Sequence, residues 1–135
     1  MTLVELLPHL QRLSQRPRCR IAIKLKGRVL FIDPGEVVAV RAEGNYVSLQ
    51  RETNSYLLRE SISAIAEKLK PYGFIRIHRS ILVNVAFVEE IRPQFTGEYA
   101  LRVKGGKKYT VTRTYKKNLK ALAELWIADS ELEQP

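Results

Sequence analysis

The chain has 135 residues, 45% of them apolar and 27% charged, which fits one soluble domain able to bury a real hydrophobic core. It has no apolar run near the ~20 residues of a membrane span, and its start, with Glu5 and Pro8, does not read as a signal peptide. A single cysteine, Cys19, excludes an intrachain disulfide, so a reducing, cytoplasmic setting is the default expectation. The net charge of +9 is uneven: residues 71–120 hold 11 basic and 3 acidic side chains, whereas the last 15 residues hold 4 acids and no Lys or Arg. Positive charge concentrated in this way suits a polyanion, whose counterions are released on neutralisation.

In chain order, Leu3, Leu6, Leu7, Leu10 and Leu13 form an apolar stripe at helical spacing, with Thr2 and Glu5 in capping-box relation and Pro17 as the stop. Residues 1–19 therefore read as an N-terminal linker helix, able to dock on the domain or pair with a second copy. From Arg18 to Arg59 the pattern changes to period two. The expected strands are Ile21–Leu25, Val29–Ile32, Val37–Ala42, Tyr46–Arg51 and Ser55–Arg59. Their turns fall at Gly27-Arg28, Asp33-Pro34-Gly35-Glu36 (with Gly35 free to take positive φ), Glu43-Gly44-Asn45 and Glu52-Thr53-Asn54.

A short helix follows, N-capped by Ser61 and ended by Pro71 and Gly73. Phe74–Ile77, Val85–Arg92, Glu98–Val103 and Lys108–Val111 read as further strands, and Thr114–Ala128 as a closing helix with Tyr115, Leu119, Leu122 and Trp126 on one face. The expected fold is mainly β (α+β). Antiparallel sheets of short strands carry a short central helix, a C-terminal helix and the N-terminal linker helix, and the domain spans residues 20–128 before a polar tail at 129–135.

A catalytic or metal-binding constellation cannot be assembled. Two histidines, His9 and His78, and one cysteine fall short of a zinc site. No phosphate-cradling glycine loop or nucleophile elbow appears. Glu89 and Glu90 are adjacent in a predicted strand, so their carboxylates are expected on opposite faces. The expectation is no enzyme, no cofactor, no metal and no small-molecule substrate.

Three loops concentrate polar and basic residues. In the first, Asn45 and Tyr46 follow Gly44; an Asn amide offers donor and acceptor together, the pairing that reads adenine, although Gly-Asn is also ordinary turn chemistry. In the second, Arg76-Ile77-His78-Arg79-Ser80, Arg79 suits bidentate contact with guanine or phosphate and Ser80 suits a phosphate or a turn cap. The structural alternative is a surface arginine and a histidine satisfied by a backbone carbonyl, and Asn84 reads as structural, holding the turn after Val83. In the third, Thr112, Arg113 and Tyr115 open the last helix, where free amides favour a phosphate. Lys107, Lys108, Lys116 and Lys117 surround it, and residues 101–120 hold eight basic side chains and no acid.

Ala42-Glu43-Gly44-Asn45-Tyr46-Val47, Leu58-Arg59-Glu60-Ser61-Ile62, Phe74-Ile75-Arg76-Ile77-His78-Arg79-Ser80-Ile81-Leu82-Val83-Asn84 and Val111-Thr112-Arg113-Thr114-Tyr115 together resemble the LytTR DNA-binding domain across residues 20–125. The Phe-x-Arg-x-His-Arg-Ser-x-x-Val-Asn run is the specific part. Thr112 stands where the family commonly has Ser, and Ile81 where it commonly has an aromatic. The resemblance implies bacterial transcription regulators, output domains of two-component response regulators, whose loops enter successive major grooves of double-stranded direct-repeat sites. It also implies a receiver domain as partner, and the chain reads as a stand-alone member or as a C-terminal domain. Carried over by position, the contacting loops are Asn45-Tyr46, His78-Arg79 and Arg113. The alternatives from the residues are a basic protein-interaction module docking through the leucine stripe, and RNA binding with Tyr46, Tyr109 or Tyr115 as stacking rings.

Overall fold

In the computed structural model, residues 20–123 are described, together with Thr2, Val4, Glu5 and Ser130. The expected leucine stripe, His9, Cys19 and Trp126 lie outside the described residues. The capping box is present: the Glu5 amide donates to Thr2 Oγ1 at 3.3 Å, and the Thr2 amide donates to the Glu5 carboxylate at 3.2 Å.

Among the described residues, ten short strands form three sheets, and every strand pair is antiparallel. β1 (Ile21–Leu25) and β2 (Arg28–Ile32) make a hairpin. β3 (Val37–Glu43), β4 (Tyr46–Arg51), β5 (Ser55–Leu58), β6 (Phe74–His78) and β7 (Ile81–Asn84) make a central sheet in the order β5-β4-β3-β7-β6. β8 (Val88–Pro93), β9 (Tyr99–Val103) and β10 (Lys108–Val111) make the third sheet, with β9 in the middle.

Alternation along the strands explains the layering. Val40, Val47, Leu49 and Leu82 share a core with Ile23 and Ile32 of the hairpin and with Ile65 and Leu69 of helix α1 (Ile62–Leu69). Ala39, Ile77, Ile81 and Val83 join Leu101, Val103, Tyr109 and Val111 of the third sheet in a second core. The central sheet is thus covered on both faces, which is why β7 is buried along its whole length and reads as an apolar run.

Ser61 caps α1 as expected, its hydroxyl accepting from the Ala64 amide at 3.1 Å. Four local expectations are corrected. Asp33 through Glu36 form a 3-10 turn rather than a glycine turn: Asp33 accepts from the Gly35 amide at 2.8 Å, and Gly35 is not among the positive-φ glycines. The strand expected from Val85 begins at Val88, because the Asn84 side chain caps a 3-10 turn over Val85–Phe87. The closing helix is not α-helical where described; Arg113–Ala123 winds as 3-10. Its anchors on β6 recur every three residues, at Thr112, Tyr115 and Asn118, and this is the 3-10 period. Finally, Glu89 and Glu90 do not part to opposite faces. A register shift between Val88 and Glu90 lets Arg102 reach both, at 3.0 and 3.9 Å.

Asn84 is 3% exposed and fully engaged. Its amide nitrogen donates to the carbonyls of Val37 (2.9 Å) and Pro34 (3.4 Å), and its oxygen accepts from the Ala86 amide (3.0 Å). Asn84→Ala would leave those buried backbone groups without partners, so we expect a loss of about 2–3 kcal/mol in urea unfolding with an unchanged denaturant slope.

Candidate nucleic-acid interface

The topology gathers the three loops at one end of the central sheet. Gly44 and Asn45 form the two-residue loop between β3 and β4, closed by the Glu43–Tyr46 pair, and Gly44 supplies the positive φ (61°) such a loop requires. Arg79 and Ser80 form the corresponding loop between β6 and β7, closed by His78 opposite Ile81. β7 pairs with β3, and the Ala42 amide donates to the Ser80 carbonyl at 2.8 Å, so the two loops are neighbours. The third joins them through the Thr112 amide, which donates to the Ile77 carbonyl at 3.0 Å beside His78.

Arg76, whose direct role the sequence left open, braces this end. Its Nε donates to the His78 carbonyl (3.4 Å), Nη2 to the Arg79 carbonyl, and Nη1 to the Ser63 hydroxyl of α1 (3.4 Å). Its guanidinium lies 5.4 Å from the Tyr115 ring centroid, and its own carbonyl accepts from the Asn118 amide group at 2.8 Å. The planar fork thus donates to two carbonyls of the β6–β7 turn. His78 is held too: its Nδ1 accepts from the Ser80 amide at 3.1 Å, which assigns the neutral ring's proton to Nε2.

The predicted residues occupy different settings. Asn45, Tyr46 and Arg79 are exposed, while His78, Ser80 and Thr112 are half-buried. Arg113 is exposed but tethered, with Nε (2.9 Å) and Nη2 donating to the Thr96 carbonyl in the turn between β8 and β9. Lys108 lines a groove of about 400 Å³ with Arg41, His78, Ser80 and Thr110. Arg41 was missed by sequence reasoning; the signal was its outward position in the strand leading to the Asn45 turn. Lys116 sits 5.5 Å from the Tyr99 ring centroid, and Lys117 is exposed near Tyr115 and Asn118. Lys107 lies apart, bonded to Gln50 at 3.4 Å, toward the other end of β4. Of the candidate stacking rings, Tyr109 is buried, Tyr115 is half-buried under Arg76, and Tyr46 is exposed.

Away from the loops, Arg51 pairs with Glu36, Lys68 with Glu60, Arg92 with Glu90 and Arg102 with Glu89. Glu90 is held below the ordinary carboxylate range by the Arg92 hydrogen bond, against some desolvation, with the charges of Arg92, Arg102 and Lys108 adding to the lowering. At the loop end, Arg41, Arg79 and Lys108 make no side-chain hydrogen bond or salt bridge among the described residues.

Residues 27–124 match the model of the LytTr DNA-binding domain. The chain belongs to that family. A LytTr domain is a DNA-binding module of transcription regulation. The chain is 32% identical over 106 residues to the sensory transduction protein LytT of Bacillus subtilis, covering 78% of this chain and 44% of that protein. It is 27% identical over 101 residues to the sensory transduction protein LytR of Streptococcus mutans, covering 75% and 41%. It therefore spans under half the length of these relatives. The LytTr DNA-binding domain of a methyl-accepting/DNA response regulator from Bacillus cereus shares the fold, with a TM-score of 0.67 at 21% identity over 78% of this chain and 97% of that one.

The Arg76 brace has a measurable consequence. Arg76→Lys keeps the charge but not the fork, and should lower the local opening free energy of the turn by about 1–2 kcal/mol. Amide hydrogen exchange at Ser80 and Thr112 reads this directly; unchanged rates would show that the fork does not hold the turn.

Proposed function

We propose that this LytTr domain binds double-stranded DNA in a sequence-specific manner, presenting its three loops to successive major grooves of a direct-repeat promoter site. The observation that carries the reading is the gathering of Arg41, Arg79 and Lys108 with the Asn45 and Ser80 turns at one end of the central sheet, where neither arginine has a side-chain hydrogen-bond or salt-bridge partner among the described residues. Phosphate oxygens supply such partners, and base edges suit the planar groups of Asn45 and Arg79.

In this reading Asn45, Tyr46, His78, Arg79 and Arg113 face base edges or order the loops that do. Ser80, Thr112, Tyr115, Lys108, Lys116 and Lys117 meet the backbone. His78 offers its Nε2 proton as a donor, because Nδ1 is engaged by Ser80. Arg113 retains Nη1 for a ligand while the Thr96 carbonyl aims the guanidinium. Lys107, engaged with Gln50, is outside this surface.

We further assign the domain as the output module of a bacterial response regulator acting in the cytoplasm, with a receiver domain as its partner. The LytT and LytR relatives, sensory transduction proteins more than twice as long as the matched region, support that arrangement.

A duplex selected from a random pool by the wild-type chain provides the test. Arg79→Ala and Arg113→Ala should each weaken that duplex by about 1–3 kcal/mol and relax the preference at one position. Lys116→Ala should weaken all duplexes alike and lower the salt slope by about one unit. Equal wild-type binding to selected and scrambled duplexes would remove sequence specificity from the proposal.

A further inference from the structure

Phe95 is the most exposed large apolar side chain among the described residues, and no part of the core or of the three loops accounts for it. A lone exposed hydrophobe is unremarkable in general. This one differs in how it is held and in what it is held beside. It occupies the second position of the Gln94–Gly97 turn joining β8 and β9, and that turn is locked. The Gly97 amide donates to the Gln94 carbonyl at 3.1 Å, the Gln94 amide to the Glu98 carbonyl at 2.9 Å, and the Glu98 amide to Thr96 Oγ1 at 3.3 Å. Gly97 takes a φ of 83°, and a Cβ there would come within 3.1 Å of Arg113 Nε. The next residue, Thr96, holds the Arg113 guanidinium through its carbonyl. The turn and Arg113 are therefore held together, with Phe95 adjacent in sequence to the residue whose carbonyl holds the guanidinium. Glu98 follows the turn directly, and its carboxylate already accepts from the Thr96 hydroxyl at 3.3 Å.

We propose that Phe95 is a further DNA-contacting residue, and that its ligand is the C5-methyl group of a thymine beside the base or phosphate that Arg113 engages. The thymine methyl is the one apolar group on the base edges of the major groove, and a phenyl ring is a standard partner for it. Burial of the ring on contact supplies affinity that does not depend on counterion release, so Phe95 adds discrimination without adding to the salt slope. The proposal rests on the reading of Arg113 as a DNA contact.

The experiment uses the whole chain and the duplex selected by the wild type, with each thymine replaced in turn by uracil, which removes only the methyl. For wild type, at least one replacement should weaken binding about fourfold, the worth of one buried methyl group. Phe95→Ala, at a fully exposed position, should leave thermal unfolding unchanged. It should weaken the thymine duplex by at least that factor, bind the thymine and uracil duplexes equally at that position, and keep the wild-type salt slope. The proposal is overturned if Phe95→Ala binds both duplexes as wild type does, or if it loses affinity for both in the same ratio. It is overturned equally if the loss appears only on duplexes holding two sites, which would make Phe95 a contact between neighbouring copies. Arg113→Ala in parallel separates the two levels. Weakened binding there beside an unaffected Phe95→Ala defeats this proposal alone, whereas an unaffected Arg113→Ala defeats the reading on which it rests.

Discussion

Strand β7 lies against β3, with Arg41 opposite Ile81, Val40 opposite Leu82 and Ala39 opposite Val83. These strands are not consecutive in the chain, and their pairing is what brings the Asn45 turn and the Arg79 turn to the same end of one sheet. A slip of one residue would exchange the faces of Leu82 and Val83, placing each in the other's core. The register is fixed at both ends. Near the loops, the Ala42 amide meets the Ser80 carbonyl; at the far end, the buried Asn84 amide ties β7 to the carbonyls of Pro34 and Val37. Asn84 thus bears on the loop end of the sheet without lying in it, because it sets where along β3 the Arg79 turn arrives.

The local bracing follows the same economy of parts. Arg76 joins α1, the β6–β7 turn and the closing 3-10 segment through one side chain, and its hydrogen-bond and ring partners are neutral. Its charge therefore adds to the positive field at the loops while its fork is used for structure. On the third sheet, Glu89 and Glu90 are paired with Arg92 and Arg102. Such exposed pairs contribute little to stability.

Much of this was legible in the sequence. Period-two runs gave nine of the ten strands near their observed bounds, because a covered sheet leaves an alternating trace; β7 alone was left open, since a strand buried on both faces has no alternation to read. The Ser61 cap and the structural role of Asn84 were likewise readable from residue chemistry. What was hidden depends on partners distant in sequence. The bulge that turns Glu89 and Glu90 toward Arg102 is a feature of pairing with β9, and the 3-10 winding after Arg113 reflects anchors on β6. Arg41 looked like one polar strand position among several until β10 placed Lys108 across a groove from it. Lys107 and Lys108 are neighbours in sequence, yet strand alternation and the Gln50 bond send them to different surroundings.

The central claim is that ligand chemistry resides at one end of the central sheet. Amide chemical-shift mapping of the labelled protein with the selected duplex tests it most directly. The account predicts that Gly44, Asn45, Arg79, Ser80, Thr112 and Arg113 shift strongly, while Glu52, Thr53 and Asn54, in the turn at the opposite end of β4, stay in place. Shifts centred on the Glu52–Asn54 turn, with the Asn45 and Arg79 turns unmoved, would contradict it.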